Sequence, residues 1–265
     1  MIPSPTERMI AEKEGAIGWM TFNNPERRNA VSVDMWEAIP VLLSRFEEDP
    51  EIRVVVLKGA GDRAFVAGAD ISQFEQQRST PEGIARYEEI GEAAWRRLAT
   101  FPKPTIAMIR GYCMGGGMAI AACCDLRIAS DNSRFAIPAA KLGLGYRAGG
   151  VKALVDLVGP AFAREILFTA RHFTAEEAQG MGLVNRVVSE ADLEPYVRSY
   201  CETIAANAPL TIFAAKRTIS EVTKASGSID HDLCQRLVAA CFESEDYAEG
   251  RRAFLEKRPP VFRGR

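Results

Sequence analysis

The sequence predicts an α/β protein of stacked β-α units with mostly parallel strand pairing, and three observations predict it. Short continuous apolar runs, Val54-Val55-Val56-Leu57 and the stretch 104–109, have the length and β-branched content of strands covered on both faces. Segments with helical spacing of apolar residues alternate with such runs through the first half of the chain. The 265 residues, 47% hydrophobic and 26% charged, suffice for a substantial core without disulfides or a structural metal.

Taken in order, strands are expected within 9–22, divided by Gly15 and Gly18 and closed by Asn23-Asn24-Pro25. Ser32 is placed to cap a helix reaching Glu48, with Met35, Ile39, Leu42, Leu43 and Phe46 on one side and Pro40 as a potential kink. The strand at 53–58 leads into a glycine-rich loop, 59–70. A helix over 81–99 precedes the strand at 104–109. Gly111 ends that strand, and Gly115-Gly116-Gly117 opens a helix of small residues reaching Cys123. Short strands are expected at 125–129 and 134–137. Beyond Gly149 the pattern turns helical, with one strand at 183–188 and helices at 191–206, 211–224, 230–242 and 245–257. Pro209 suits a helix start, and Ser226-Gly227 a turn.

Composition excludes several functions. The 33 basic and 35 acidic residues leave a formal net charge of -2, without the basic field that attracts nucleic acid. No apolar stretch reaches the ~18 residues that span a membrane, and residues 1–14 contain no run of signal-peptide type. The expectation is a soluble cytoplasmic protein with neither nucleic-acid nor membrane partners. The six cysteines form no CxxC pair and read as reduced, small apolar groups. With only His172 and His231, neither a metal site nor a Ser-His-Asp triad has support.

Two segments carry the candidate chemistry. In Phe65-Val66-Ala67-Gly68-Ala69-Asp70-Ile71, small residues let a ligand approach the backbone closely. Gly111-Tyr112-Cys113-Met114-Gly115-Gly116-Gly117-Met118 follows a buried strand and opens a helix, whose first N–H groups attract negative charge. One amide from each loop would make an oxyanion hole. The competing reading is a pair of tight strand–helix turns. Nucleotide-phosphate binding is weaker, because Gly115-Gly116-Gly117 is not a GxGxxG pattern and no phosphate-binding Lys-Ser/Thr follows.

These segments, with others in the same order, resemble the enoyl-CoA hydratase/isomerase superfamily, the crotonase fold. The further matching pieces are Asn24-Pro25 with Asn29-Ala30, Lys103-Pro104-Thr105-Ile106-Ala107, Cys124-Asp125-Leu126, the stretches 170–183 and 243–250, and Phe254-Leu255-Glu256-Lys257-Arg258. The resemblance covers nearly the whole chain. It implies a spiral of ββα units over residues 1–195 and a helical oligomerisation region over 196–265, assembled as a homotrimer or a dimer of trimers. It also implies an acyl-CoA substrate, with coenzyme A entering as part of that substrate and no tightly bound cofactor or metal. The thioester oxygen would lie between the amides of Ala67 and Gly116, Gly115 beside them. Ala67, Ala69, Asp70 and Ile71 would follow the adenine and pantetheine path. Arg27 or Arg28 would pair with the CoA phosphates, and Phe254 and Lys257 would reach the CoA of a neighbouring subunit.

The chain departs from the hydratase pattern where the two catalytic glutamates belong. Three residues after Gly116 stands Ala119, and after Phe135-Ala136-Ile137-Pro138 stands Ala139. A methyl group neither accepts nor donates a proton, so the paired-acid mechanism is missing. Tyr146 and Arg147, after the turn Leu142-Gly143-Leu144-Gly145, are the substitutes to consider. Relatives place catalytic residues on this turn. A decarboxylase of the family is similar here, with tyrosine at the position of Tyr146, although its active-site histidine falls at Ala69. Dehalogenase relatives have an aspartate nucleophile where Arg147 stands, which argues against that chemistry. The expectation is an enzyme that holds an enolate of an acyl-CoA in a backbone oxyanion hole without being a conventional hydratase. The alternatives are a decarboxylase of malonyl-type thioesters using Tyr146 and Arg147, and a CoA-thioester binder without turnover.

Overall fold

A computed structural model describes residues 1–70, 80–224 and 226–265. The first strands, β1 (Met9–Glu14) and β2 (Ile17–Phe22), form an antiparallel hairpin in register Met9 to Phe22. Helix α1 (Val33–Glu48) follows and continues through Pro40 as one element, so the expected kink does not form. Ser32 stands at its N-cap position, but its hydroxyl bonds the Asp34 carboxylate rather than a backbone amide.

The next units repeat one plan. β3 (Val54–Gly59) and β4 (Ala64–Val66) precede α2 (Pro81–Ala99); β5 (Thr105–Ile109) and β6 (Tyr112–Met114) precede α3 (Gly116–Cys123); β7 (Leu126–Ser130) and β8 (Arg134–Ala136) precede α4 (Ala148–Thr169). In each unit the first strand joins a six-stranded sheet of order β1-β2-β3-β5-β7-β10, and the second joins a four-stranded sheet of order β4-β6-β8-β9. β2, β3, β5, β7 and β10 (Arg186–Val188) pair in parallel, as do β4, β6 and β8. β9 (Phe173–Thr174) closes the smaller sheet antiparallel to β8. This is the spiral of ββα units that the family resemblance implied. β4 and β6 correct the reading of 59–70 and 111–117 as loops: three-residue strands are too short to show alternation, and only the neighbouring strands pair their backbone. The expected strand at 183–188 shrinks to Arg186–Val188, and α4 bends at Gly159-Pro160.

The two faces of the large sheet explain the unbroken apolar runs. Val55 and Leu57 of β3, with Ala107 and Ile109 of β5, pack into a core shared with α1, where Leu42, Leu43 and Phe46 are fully buried. Their alternates Val54, Val56, Ile106 and Met108 point the other way, onto Leu193, Val197 and Cys201 of α6 (Leu193–Ala205). Those three residues, four apart, make one helical stripe. The boundary drawn at 195/196 therefore falls inside a helix that covers the main sheet, and the core extends through α6.

Between α4 and α6 lies the short α5 (Ala175–Gly180), started by a reciprocal capping box of Thr174 and Glu177. The remaining helices are α7 (Pro209–Val222), α8 (His231–Phe242) and α9 (Glu245–Glu256). Helix α7 is tied to the core by Lys216, whose ammonium donates to Asp125 at 2.7 Å and to the Lys103 carbonyl at 2.9 Å. All six cysteines are free thiols. No described helix is long and apolar enough to cross a membrane.

Candidate active site

The site forms where β4 and β6 deliver the chain to its turns. After β4 the segment 67–70 lies alongside 28–31. Ala67 N–H donates to the Arg28 carbonyl at 3.0 Å, Val31 N–H to Gly68 O at 2.8 Å, and Asp70 N–H to Val31 O at 3.0 Å. The Ala67 amide, expected in the oxyanion hole, is therefore taken up by the Arg28 carbonyl. The Ala69 amide, next to the bonded amide of Asp70, has no acceptor among the described residues.

Gly116 is the first residue of α3, and Gly115 before it has φ +48°, a conformation costly for a side chain bearing a Cβ. A Cβ built on Gly116 would lie 3.7 Å from the Ala69 nitrogen, which places these two backbones side by side. The first-turn amides of Gly116, Gly117 and Met118 have no acceptor within the helix. Gly117 is required for this approach, since a Cβ there would come within 2.3 Å of the Val66 carbonyl. At its other end, α3 is held by Arg127. This guanidinium is 3% exposed and donates to the carbonyls of Cys124 at 2.7 Å, Ala121 at 3.2 Å and Leu183 at 2.7 Å. A cation on the carbonyl end and open amides at the start follow the helix dipole.

Ala119 lies one turn beyond Gly116 on α3 and is half-buried, and Ala139, 7% exposed, sits in a short 3-10 helix, Pro138–Leu142. Both positions present methyl groups. Around Gly116 stands an aromatic wall that the sequence did not single out. Trp36 approaches a Gly116 Cβ position to 3.5 Å, donates its indole N–H to the Tyr87 hydroxyl at 3.1 Å, and meets Trp95 edge-on at 6.4 Å between centroids. These residues read in sequence as ordinary apolar positions of α1 and α2, and nothing in their spacing marks them otherwise.

Tyr146 joins this wall. Its ring lies 3.1 Å from a Cβ position on Gly150, which is also 3.7 Å from Trp95. Burial pushes its phenol up to about 12, with the nearby Cys113 thiol acting in the same direction, so it stays a proton donor through the physiological range. Arg147 is separated from it in role. The guanidinium is 63% exposed and forms an ion pair with Glu88 of α2.

Arg27 pairs with Asp70 at 3.5 Å, and the Asp70 side chain is 6% exposed. Arg28 turns elsewhere, to 5.1 Å over the Tyr112 ring. Phe254 and Lys257 lie at the far end of α9, Phe254 being 83% exposed, and α9 packs chiefly on α8. Within one chain they are not gathered with Ala69 and Gly116. Ile71 lies outside the described residues. Among the described residues no group of three His, Cys, Asp or Glu side chains gathers as a metal site.

The fold and these paired glycine-rich turns define an α/β enzyme of the ββα-spiral class. A model of the enoyl-CoA hydratase/isomerase family matches residues 12–265. The short-chain-enoyl-CoA hydratase of Clostridium acetobutylicum is 37% identical over 252 residues, 94% of this chain and 95% of that protein. The carnitinyl-CoA dehydratase of Escherichia coli O157:H7 is 35% identical over 267 residues, 98% and 100% of the two chains. A crystal structure of an enoyl-CoA hydratase/isomerase family protein from Hyphomonas neptunium superposes with TM-score 0.94 at 37% identity, covering 99% of this chain and 100% of that one. The chain belongs to the enoyl-CoA hydratase/isomerase (crotonase) family, and it is an enzyme of that family's acyl-CoA thioester chemistry.

Proposed function

We propose that this enzyme stabilises the enolate of an acyl-CoA thioester on the amides of Ala69 and Gly116, and that it is not a conventional hydratase. The observation that carries the reading is the adjacency of two main-chain amides, one without an acceptor among the described residues and one opening a helix. Fixed donors of this kind are each worth about 3–4 kcal/mol in the transition state, because they need no reorganisation as charge develops. The CoA itself would run past Asp70, Ile71 and Gly115, with Arg27 and Arg28 near its phosphates. Phe254 and Lys257 would serve the CoA of a neighbouring copy in a homotrimer or dimer of trimers. The strongly exposed Phe242, Phe254 and Leu255 support that assembly.

The methyl groups of Ala119 and Ala139 leave no carboxylate at either hydratase position to activate water. Enolates also form without a base, by loss of carbon dioxide from a malonyl-type thioester. There the carbon–carbon electron pair moves onto the thioester oxygen, and the α-carbon is then protonated. Tyr146, a half-buried neutral donor beside the aromatic wall, favours this second reading. Arg147, already paired with Glu88, contributes less to it than the sequence suggested. A CoA-thioester binder without turnover is the remaining alternative.

A panel of enoyl, 3-hydroxyacyl and malonyl-type CoA thioesters, followed in D2O by mass spectrometry, tests the proposal. Decarboxylation with one deuterium gained at the α-carbon is expected, and Gly116→Pro should lower kcat/KM by roughly 100- to 1000-fold. Proline fits the first helical position, so this variant removes the amide while sparing the helix. Fast hydration of crotonyl-CoA by the unmodified enzyme, or full activity in Gly116→Pro, overturns the reading. CoA binding with every thioester returned unchanged leaves the binder alone standing.

A further inference from the structure

Four aromatic side chains stand in a row beside the glycine-rich turns, and they come from three separate parts of the chain. Trp36 of α1 is 3% exposed and lies 3.5 Å from the Cβ position of Gly116. Its indole N–H donates to the Tyr87 hydroxyl of α2 at 3.1 Å. Trp95, roughly two turns further along α2, meets Trp36 edge-on, with centroids 6.4 Å apart and ring planes at 77°. Trp95 and Tyr146 then approach one Cβ position, that of Gly150 at the start of α4, to 3.7 and 3.1 Å. The row therefore runs without a break from Gly116, through Trp36 and Trp95, to Tyr146.

The chain's own packing leaves this row unfinished. Trp36 is buried, but Tyr87, Trp95 and Tyr146 remain half-buried. The indole N–H of Trp95 is shielded from solvent and meets no acceptor among the described residues, although a buried indole N–H ordinarily has one. Half-covered aromatic surface next to a ligand site is surface that a ligand can cover. Ring chemistry says which kind of ligand. A saturated chain gains only its buried area, and it gains that against any apolar wall. A flat ring gains the same area and adds edge-to-face contact with rings that already stand at 77° to one another. An aromatic wall therefore separates aryl from saturated groups, which a wall of leucine or valine would not do.

We infer that Trp36 and Trp95 determine the specificity for the acyl group, and that this group carries an aryl ring on its α-carbon. The inference rests on the acyl-CoA reading above and adds the class of acyl group to it. The place of the ring follows from contact. Trp36 touches the Gly116 position where the thioester would lie, so a ring on the next carbon comes level with Trp36 and Trp95. An aryl group at that carbon also conjugates with an enolate and spreads its charge, which suits a site with methyl groups at Ala119 and Ala139 in place of a strong base.

Calorimetric titration of the full chain with phenylacetyl-CoA, cyclohexylacetyl-CoA and hexanoyl-CoA tests the inference by binding alone. The first two share one carbon skeleton and differ only in the saturation of the ring. Phenylacetyl-CoA is expected to bind about tenfold more tightly than either of the others. Trp95→Leu should bring that ratio close to one, and Trp95→Phe should keep part of it. A ratio of affinities is insensitive to a general loss of stability, and half-buried Trp95 keeps the test informative even where Trp36→Leu misfolds. Equal affinity for phenylacetyl-CoA and cyclohexylacetyl-CoA, or a preference that survives Trp95→Leu, overturns the inference and leaves the acyl-CoA reading standing. Failure of all three thioesters to bind removes both.

Discussion

In the two-sheet core, β3 buries Val54, Val55, Val56 and Leu57 completely, and α1 buries seven of its sixteen residues. The C-terminal layer is built otherwise. Helix α8 has no buried residue at all, and α9 buries only Asp246 and Ala253. Polar contacts hold that layer together. The Asp246 carboxylate accepts the amides of Arg263 at 2.6 Å and Gly264 at 2.7 Å, and Glu249 accepts from Arg258 and from the Val261 amide. Its apolar side chains face outward, with Phe242 60%, Phe254 83% and Leu255 80% exposed. The core is stabilised by its own burial, whereas the outer helices leave apolar surface exposed. The paired glycine-rich turns belong to the first region, and Phe254 and Lys257 to the second.

The largest effect that would break this contrast lies in the core. Phe46→Ala removes a fully buried ring and should cost about 3–5 kcal/mol. For a chain of this size that lowers the melting temperature by on the order of 10 °C. Calorimetry on dilute protein measures it, and a shift under 2–3 °C would mean the core is far more tolerant than its burial implies. The next effect is on assembly. Phe254→Asp with Leu255→Asp should leave the secondary structure intact by circular dichroism and reduce the sedimenting species to a monomer. An unchanged sedimentation coefficient would show that these side chains are not what the copies share.

The smallest effect concerns the tail. The Arg258 guanidinium, helped by the Val261 amide, holds the Glu249 carboxyl at about 2, below its usual 4.5. A carboxylate depressed on folding stabilises above its unfolded value and loses that contribution as pH falls through the folded one. Protection of the Val261 amide against hydrogen exchange should therefore be constant above pH 4.5 and decline from there toward pH 2. Glu249→Gln should remove that pH dependence, and an identical profile in the variant would sink the assignment.

Much of the architecture was legible because apolar patterning is local. Val54 to Leu57 read as a doubly covered strand, and α1 emerged from its apolar spacing. β4 and β6 were hidden, since three residues inside glycine-rich segments carry no period and are strands only through their neighbours. The role of α6 was missed for a related reason. Leu193, Val197 and Cys201 mark a helical stripe, but sequence does not say which surface receives it. At the site, both turns were read from glycine content, but nothing in the sequence shows that the Ala67 amide meets the Arg28 carbonyl. Trp36, Tyr87 and Trp95 passed as core residues because aromatic side chains on helices usually are.

By itself the sequence determined the α/β class, the two small-residue turns and the methyl groups of Ala119 and Ala139, because these depend on residue type and local order. Tertiary structure decided that the Ala67 amide meets the Arg28 carbonyl, that Arg147 meets Glu88, and that Arg28, Arg63 and Arg134 line one cavity. The direction of an N–H and the neighbours of a guanidinium are set by segments far away in the chain. Arg28 and Arg134 are 106 positions apart; the ladder sets Arg134 beside Tyr112, and Arg28 lies over the Tyr112 ring.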